Sequence, residues 1–202
     1  MSRHSAVLLN DMLQEFGEDE VISVLSAFMC PVNKDVEHFL QRTSISFDRQ
    51  GIAATHLVFT PFRAETVLTG YFTLANKCID VPVANLSASL RKKLSRFCPR
   101  SNENDVLHLA MPLIAQLGKN YANGFNVLIN GKELLDKAVR AVSEVQRYVG
   151  GRFAYLECEE IAALKDFYLF NGFVEFSKRS LDESGDASVS KDGRLIQMIR
   201  YI

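Results

Sequence analysis

The segment 106–149, VLHLAMPLIAQLGKNYANGFNVLINGKELLDKAVRAVSEVQRYV, contains the pattern that decides the fold. Its first part, from Val106 to Leu117, is almost continuously apolar, which predicts a central β-strand covered on both faces. From Gly131 the apolar residues recur with a period of 3.6, which predicts a long amphipathic helix. The Gly150-Gly151 pair marks the end of that helix. A strand, a polar turn and a long helix together indicate an α/β arrangement.

The elements that follow continue this alternation. We expect strands at Arg152–Cys158, Phe173–Phe176 and Leu195–Ile202, because these runs are short and rich in β-branched and aromatic residues. Ile161–Phe170 is predicted to be helical. The segment Leu181–Arg194 is rich in Ser, Asp and Gly and predicts a mobile or disordered loop.

The first hundred residues are predicted to begin with helices. We expect a helical segment over residues 1–50, with one helix over Val7–Leu13 and a second that ends at Pro31. Two strands, Thr55–Thr60 and Val67–Ile79, then flank a turn centred on Pro61. A further helix is indicated by four apolar residues at helical spacing, Leu86, Leu90, Leu94 and Phe97.

Length and composition limit the class of protein. The chain has 202 residues, is 48% hydrophobic and carries a formal charge of −1, which favours one domain over 1–202 with no global attraction to polyanions. A run of about 18 apolar residues, as a membrane-spanning helix requires, is absent from the sequence. The four cysteines are widely spaced and form no CxxC pair, so we expect neither a disulfide framework nor a zinc site. These features predict a cytoplasmic protein without a membrane partner.

The turn that precedes the long helix is the candidate anion site. The first amide groups of a helix have no intrahelical partner, and the helix dipole lies behind them, so Asn126–Gly131 could hold a diphosphate with main-chain hydrogen bonds. Lys132 would add a positive charge in the first turn. An ordinary helix start explains the same pattern equally well, and the turn alone does not decide between the two interpretations.

Four segments, in order, resemble the cofactor-binding half of the GNAT acetyltransferases over residues 105–178. They are IAQLGKN at 114–120, NVLINGKELL at 126–135, YLECEE at 155–160 and DFYLFNGF at 166–173. The most specific of them is Phe167-Tyr168 followed by Gly172-Phe173. The loop departs from the family pattern, since only Gly131 of its characteristic residues is present. The resemblance implies a mixed α/β (α+β) fold with a largely antiparallel central sheet, one splayed strand pair and flanking helices.

The resemblance also implies a substrate pair and roles for individual residues. Acetyl-coenzyme A would supply the acetyl group, a primary amine would accept it, and no metal would be needed. Tyr168 would protonate the departing thiolate, and Glu157 would act as the base. The acetyl-coenzyme A contacts would be Leu117, Gly118 and Lys119 for pantetheine, the turn residues Asn126, Val127, Leu128, Ile129, Asn130, Gly131 and Lys132 for the diphosphate, and Phe167.

Several alternatives remain open at this point. The acceptor could be a small molecule, a protein amine or an aminoacyl-tRNA, the last because one branch of the family acts as toxins. A second hypothesis is a non-catalytic acyl-coenzyme A-binding or interaction module. A third possibility, compatible with either, is that the amino-terminal helices form a partner or dimer surface, such as that of a homodimer. The basic run Arg91, Lys92, Lys93, Arg96 and Arg100 is favoured as a solvated helix face over a contact surface for phosphate groups. Cys158 is expected to be a small buried hydrophobe.

Overall fold

The structure is a computed structural model that describes residues 4–97, 100–101, 105–180 and 194–202. The loop predicted over Leu181–Arg194 therefore lies outside the described residues except for Arg194, as does the start of the predicted amino-terminal helical segment. None of the described helices is long and apolar enough to cross a membrane.

A short first strand is followed by consecutive helical segments and two long strands, and strands and helices alternate mainly from β5 to β7. In chain order they are β1 (Ser5–Leu8), α1 (Leu9–Phe16), α2 (Glu18–Ser26), α3 (Lys34–His38), a π-helical segment (Phe39–Thr43), α4 (Ser44–Arg49), β2 (Ala53–Phe62), β3 (Glu65–Pro82), a 3-10 turn (Val83–Asn85), α5 (Ala88–Leu94), β4 (Arg100–Ser101), β5 (Val106–Lys119), a second 3-10 turn (Ala122–Val127), α6 (Gly131–Val149), β6 (Phe153–Glu159), α7 (Ala162–Phe170), β7 (Val174–Ser180) and β8 (Arg194–Tyr201).

The described strands follow the order β1-β2-β3-β5-β6-β8-β7, with β4 paired to β5. The antiparallel pairs include β1 with β2, β2 with β3, β4 with β5, β6 with β8 and β7 with β8. The register places Glu157 opposite Gln197 and Tyr155 opposite Ile199. Because side chains alternate along a strand, Tyr155 and Glu157 share one face of β6.

The chain divides into two compact units, the first of which comprises Met1–Ala75 and Ile114–Ala141. Its core is centred on Tyr71, which is fully buried and donates a hydrogen bond from its hydroxyl to the Val36 carbonyl oxygen at 2.6 Å. The Phe28 ring packs edge-on against the Tyr71 ring at 5.3 Å. The remaining buried members of this core are Leu9, Met12, Val21, Leu25, Cys30, Val36, Leu40, Leu57 and Leu68.

The second unit comprises Asn76–Leu113 and Val142–Ile202. Helix α5 begins at Ser87, whose hydroxyl accepts the Leu90 amide, and buries Leu90 and Leu94. Its remaining side chains are exposed, as expected of an amphipathic surface helix. The core against which α5 packs contains Val81, Val83, Leu86, Leu107, Leu109, Met111, Phe153, Tyr155, Phe176 and Ile199.

The predicted helix over Val7–Leu13 is wrong at its beginning. Ser5–Leu8 forms β1, which pairs with β2 from Ser5 opposite Phe59 to Leu8 opposite His56. Ala and Leu are good helix formers, but pairing with the edge of β2 supplies main-chain hydrogen bonds that local propensity does not predict. Helix α1 begins only at Leu9.

Both prolines used as boundaries lie away from the turns predicted for them. Helix α2 ends at Ser26 rather than at Pro31, because the chain turns there to bury Phe28 and Cys30. Pro61 lies inside β2 opposite Thr66, and the turn falls at Arg63, where φ is 56°. Strand β1 pairs with β2 only as far as Phe59, so the missing amide hydrogen of Pro61 interrupts no pairing with β1.

Candidate functional site

The start of α6, predicted to bind a diphosphate, is closed by a reciprocal cap. The side-chain oxygen of Asn130 accepts the Glu133 amide at 2.8 Å, and the Glu133 carboxylate accepts the Asn130 amide at 2.9 Å. This capping box satisfies two of the free amides at the helix start. The Asn130 amide predicted as a phosphate ligand is therefore already occupied, and a carboxylate lies beside it.

Other residues of the predicted loop have structural partners too. The Leu128 amide donates to the Phe125 carbonyl oxygen at 3.0 Å, and Ile129 is buried. The Asn126 carbonyl oxygen accepts a hydrogen bond from Lys119 Nζ at 3.0 Å, which ties the end of β5 to the turn. Val127, by contrast, is 80% exposed. The loop is thus largely ordered by its own contacts.

Two amides of the predicted site remain available in the first turn of α6. Gly131 and Lys132 lie in the first turn of α6, where main-chain N–H groups have no intrahelical acceptor. Within the described part of the chain no residue accepts from either amide. The Lys132 ammonium pairs with Asp136 at 2.5 Å on the exposed side of the helix. The anion-binding capacity of this turn therefore rests on Gly131 and Lys132.

The end of β5, where Leu117, Gly118 and Lys119 were predicted to contact pantetheine, is tightly packed at Gly118. A Cβ atom there would lie 2.3 Å from Val36 Cγ1 and 3.2 Å from Tyr71 Cε1. On β3, a Cβ at Gly70 would lie 2.8 Å from the Gly118 carbonyl oxygen. Packing within the first unit therefore already requires glycine at both positions.

Asn120, which the sequence analysis missed, anchors the same strand end. It is 3% exposed, and its side-chain oxygen accepts the amides of Met29 at 3.1 Å and Ala122 at 3.0 Å. Its side-chain nitrogen donates to the Leu68 carbonyl oxygen at 2.8 Å. The polar residue at the end of a long apolar run was the available signal. Asn120 holds the carboxyl end of β5 in place.

Tyr168 and Phe167 lie in the second unit, at the end of α7. The Phe173 amide donates to the Tyr168 carbonyl oxygen at 3.1 Å and the Gly172 amide to that of Leu169 at 3.0 Å, while Gly172 has a φ of 82°. These bonds form a Schellman motif, in which the residue after the glycine packs against the residue three positions inside the helix. The Tyr168 and Phe173 rings are accordingly 5.8 Å apart. The spacing of Tyr168, Gly172 and Phe173 thus has a structural cause.

The Tyr168 side chain is buried, with 8% of the residue exposed. Its ring also contacts Phe167, with ring centroids 5.1 Å apart. Burial, with a smaller contribution from the nearby Cys158, raises the pKa of Tyr168 well above its usual range. No described residue shares a hydrogen bond with the Tyr168 hydroxyl. The ring is buried, but the hydroxyl oxygen is accessible to solvent, since it is not among the described buried side-chain atoms that lack a partner.

Glu157 belongs to a separate polar cluster of the second unit. The Arg179 guanidinium donates to both carboxylate oxygens, at 2.8 and 2.7 Å, and the Tyr155 hydroxyl donates at 2.5 Å. Burial acts to raise the pKa of Glu157, but the hydrogen bonds from Arg179, Tyr155 and Gln197 outweigh it and lower that pKa. A carboxylate held ionised in this way accepts a proton poorly. No described contact brings Glu157 and Tyr168 together.

Cys158 has the environment of a structural residue. Burial, with smaller contributions from Glu175 and Glu159, raises the pKa of its thiol to about 11. The thiol lies 3.9 Å from the Met198 sulfur. Because the thiolate is the reactive form, this cysteine is a poor nucleophile at neutral pH.

Comparison with known proteins identifies the fold. No family model matches the chain, and no significant match to a curated protein is found. Among solved structures, a tyrosine-to-phenylalanine variant of KacT matches with a TM-score of 0.63 and 16% sequence identity. The match covers 97% of this chain and 94% of the KacT chain. AtaT complexed with acetyl-methionyl-tRNAfMet matches with a TM-score of 0.62 and 18% sequence identity, and the match covers 96% of this chain and 93% of the AtaT chain. AtaTR bound with AcCoA matches with a TM-score of 0.58 and 16% sequence identity, and the match covers 97% of this chain and 93% of the matched chain.

At these identities the likeness establishes the fold. It spans nearly the whole of both chains and so includes the amino-terminal helices and the final strands. The GNAT-like mixed fold predicted from the sequence, with its largely antiparallel sheet and flanking helices, is confirmed.

Proposed function

We propose that the protein is an N-acetyltransferase that moves an acetyl group from acetyl-coenzyme A to a primary amine. The observation that carries this proposal is the Tyr168 hydroxyl, which lies at the solvent-accessible edge of a buried ring, remains protonated and has no described hydrogen-bond partner. A group in that state is suited to donate one proton to a ligand. The fold shared with AtaTR bound with AcCoA supports the choice of acetyl donor.

Tyr168 acts as the acid in the proposed reaction. Acetyl-coenzyme A supplies an activated acetyl group as a thioester. The amine nitrogen forms a bond to the acetyl carbon, the bond from that carbon to sulfur breaks, and Tyr168 gives its proton to the departing thiolate. The proton lost by the amine passes to solvent, from which Tyr168 is protonated again. The raised pKa keeps the hydroxyl protonated at neutral pH, so it is always available as a donor.

The proposed acetyl-coenzyme A contacts follow from the free groups of the first unit. The amides of Gly131 and Lys132 would receive the diphosphate, because they point outward from the start of α6 with the helix dipole behind them. The residues from Leu117 to Lys119 remain the proposed pantetheine contact. The capping carboxylate of Glu133 opposes a nearby anion, so we expect affinity to come mainly from the two amides and Lys132.

The role of base predicted for Glu157 remains a proposal, and the lowered pKa limits it. An acceptor amine with a low pKa would need no strong base, because much of it is already neutral near pH 7. The α-amino group of an aminoacyl ester has this property. AtaT complexed with acetyl-methionyl-tRNAfMet shares the fold, which also favours aminoacyl-tRNA among the three acceptor classes.

We propose a cytoplasmic homodimer as the working state of the enzyme. Several amino-terminal apolar side chains are exposed, among them Phe16 at 50%, Met29 at 50% and Val32 at 72%. Exposed apolar surface of this kind is often covered in an oligomer. Light scattering should give twice the mass of the chain, and a monomer at micromolar concentration would contradict the proposal.

Transfer of labelled acetyl groups tests the proposed chemistry. Tyr168→Phe removes only a hydroxyl without a described partner, so we expect kcat to fall at least tenfold while thermal stability stays nearly unchanged. Tyr148→Phe is the matched control, because Tyr148 is 90% exposed, and it should retain full activity. Full activity of Tyr168→Phe would exclude its role as the acid.

Binding is measured separately from transfer. Acetyl-coenzyme A should raise the Tm of the wild type and of Tyr168→Phe equally, because a ligand that binds only the native state stabilises it. A rise in Tm without transfer to small-molecule, protein or aminoacyl-tRNA amines would indicate the non-catalytic acyl-coenzyme A-binding module. No rise at millimolar ligand would overturn the proposal.

A further inference from the structure

Four cations in and just after α5 have no acidic partner among the residues that the structure describes. Arg91, Lys92, Lys93 and Arg96 are all exposed, and no described carboxylate pairs with any of them. Some other cations of the second unit do have acidic partners, as Lys165 has Glu175 and Lys178 has Glu160. Four unneutralised charges within six consecutive residues create a local positive potential that the formal net charge of −1 conceals.

Part of this charge lines a cavity. Arg91, Lys92 and Ser95 border a cavity of about 310 Å³, together with Val83, Ala88 and Leu107. Arg91 and Ser95 lie four residues apart, so they project from the same side of the helical turn. Two cations and a hydroxyl at one concave place form a polar lining suited to an anionic oxygen group such as a phosphate.

Exposed aromatic rings lie next to these cations. Phe97 and Tyr201 are 47% and 50% exposed, and both rings pack against the buried Phe153, at 5.7 and 5.5 Å. The Lys93 ammonium lies 5.7 Å from the centre of the Tyr201 ring. The two exposed rings are therefore held in place by a buried one. A second cavity of about 480 Å³ adjoins Phe97 and is bordered by two more cations, Arg147 and Arg152.

We propose that this basic–aromatic surface, formed by Arg91, Lys92, Lys93, Arg96, Phe97 and Tyr201, binds single-stranded RNA. Cations that contact phosphates, interleaved with fixed rings on which unpaired bases stack, are the combination that single strands require. The inference deepens the proposed function and rests on it where aminoacyl-tRNA is the acceptor, but RNA binding is measured without acetyl-coenzyme A and can fail while acetyl transfer is retained.

An anionic membrane fits the surface less well. A helix that lies in a membrane interface must present its apolar side to lipid. In α5 that side consists of Leu90 and Leu94, which are 8% and 0% exposed and belong to the core of the second unit. The exposed side of α5 is therefore charged, and the helix has no exposed apolar side that could insert into lipid.

Fluorescence anisotropy with a labelled single-stranded RNA of about 15 nucleotides, without acetyl-coenzyme A, tests the proposal. Arg91→Gln/Lys92→Gln should weaken binding at least tenfold and reduce the slope of log affinity against log salt by about 1.4, since each phosphate contact contributes ~0.7. Arg42→Gln/Lys34→Gln removes the same charge from exposed positions of the other unit and should leave affinity nearly unchanged. Equal losses in both double variants would overturn the proposal.

The aromatic half of the surface has its own test. Tyr201→Ala should weaken binding by about 5- to 150-fold, the loss of one stacked base, without altering the salt slope. Tyr148→Ala removes an isolated ring that is 90% exposed and should have no effect. Circular dichroism should show that all variants are folded. Equal affinity for duplex RNA, or binding to vesicles of anionic lipid but not to RNA, would also overturn the proposal.

Discussion

Replacement of Asn120 by alanine should destabilise the first unit more than the same replacement of Asn126 or Asn130 does. The side chain makes three hydrogen bonds to the main chain, with the amides of Met29 and Ala122 and with the Leu68 carbonyl oxygen. It is 3% exposed, so the groups it leaves behind have little access to water. The three partners belong to different segments that the side chain holds together.

The size of the effect follows from those three bonds. A buried main-chain group left without a partner costs about 1–3 kcal/mol, and water entering the vacated space recovers part of that cost. We therefore expect the free energy of unfolding to fall by about 3 kcal/mol, the lower limit for three such groups. Asn120→Asp keeps the acceptor oxygen but loses the donor to Leu68, so it should also be destabilising.

Urea unfolding followed by far-ultraviolet circular dichroism measures the change directly. The matched control is Asn126→Ala in the same turn, whose side chain makes no described hydrogen bond and whose loss should cost less than about 0.5 kcal/mol. A loss below about 1 kcal/mol in Asn120→Ala, or a loss no greater than in the control, would refute the reasoning.

Three further predictions concern other parts of the molecule. Asn130→Ala should lower the unfolding free energy by about 1 kcal/mol in urea, because the cap of α6 is lost, whereas Asn130→Asp should retain the cap. The pKa of Glu157 is lowered in the folded state. The ionised carboxylate therefore adds to the free energy of unfolding above its usual pKa of 4.5, and this stabilisation is lost as the pH falls through the lowered pKa. Wild type should therefore lose more stability than Glu157→Gln between about pH 5 and about pH 3, and identical pH profiles would contradict this. Iodoacetamide at about pH 8 should modify the exposed Cys78 and spare Cys158, whose pKa is about 11, and modification of Cys158 at the rate of Cys78 in peptide mass mapping would exclude its burial.

Periodicity in the sequence was sufficient to predict most helices and strands. The repeat over α6 marks Leu135, Ala138, Val139 and Val142 as one face, and all four are buried. The Asn33 side chain caps α3 by accepting the amides of Asp35 and Val36, two and three positions further on. Both features depend only on residues within a few positions of one another. Val149, also part of the predicted stripe, is 75% exposed, since the repeat does not reveal how far along the helix the core extends.

The sequence was sufficient to predict which segments carry the candidate site residues. It did not predict the contacts that those residues make in the folded chain. The Gly172-Phe173 pair after Tyr168 is a local signal, because a Schellman motif needs only the last turn of a helix and the two residues beyond it. The ionised state of Glu157, by contrast, depends on Arg179, which lies 22 positions away on another strand. No periodicity relates the two residues.

The sequence by itself determined that α6 and α7 are helices, which face of α6 is apolar and where both helices end, because each of these follows from neighbours along the chain. Only the tertiary structure decided that Ser5–Leu8 is a strand, that Asn120 binds Leu68 across 52 positions and that Lys93 lies over the Tyr201 ring. These contacts depend on which segments meet when the sheet forms. Burial drives that pairing and local propensity does not encode it, so the chemistry of the sites appears only in the folded chain.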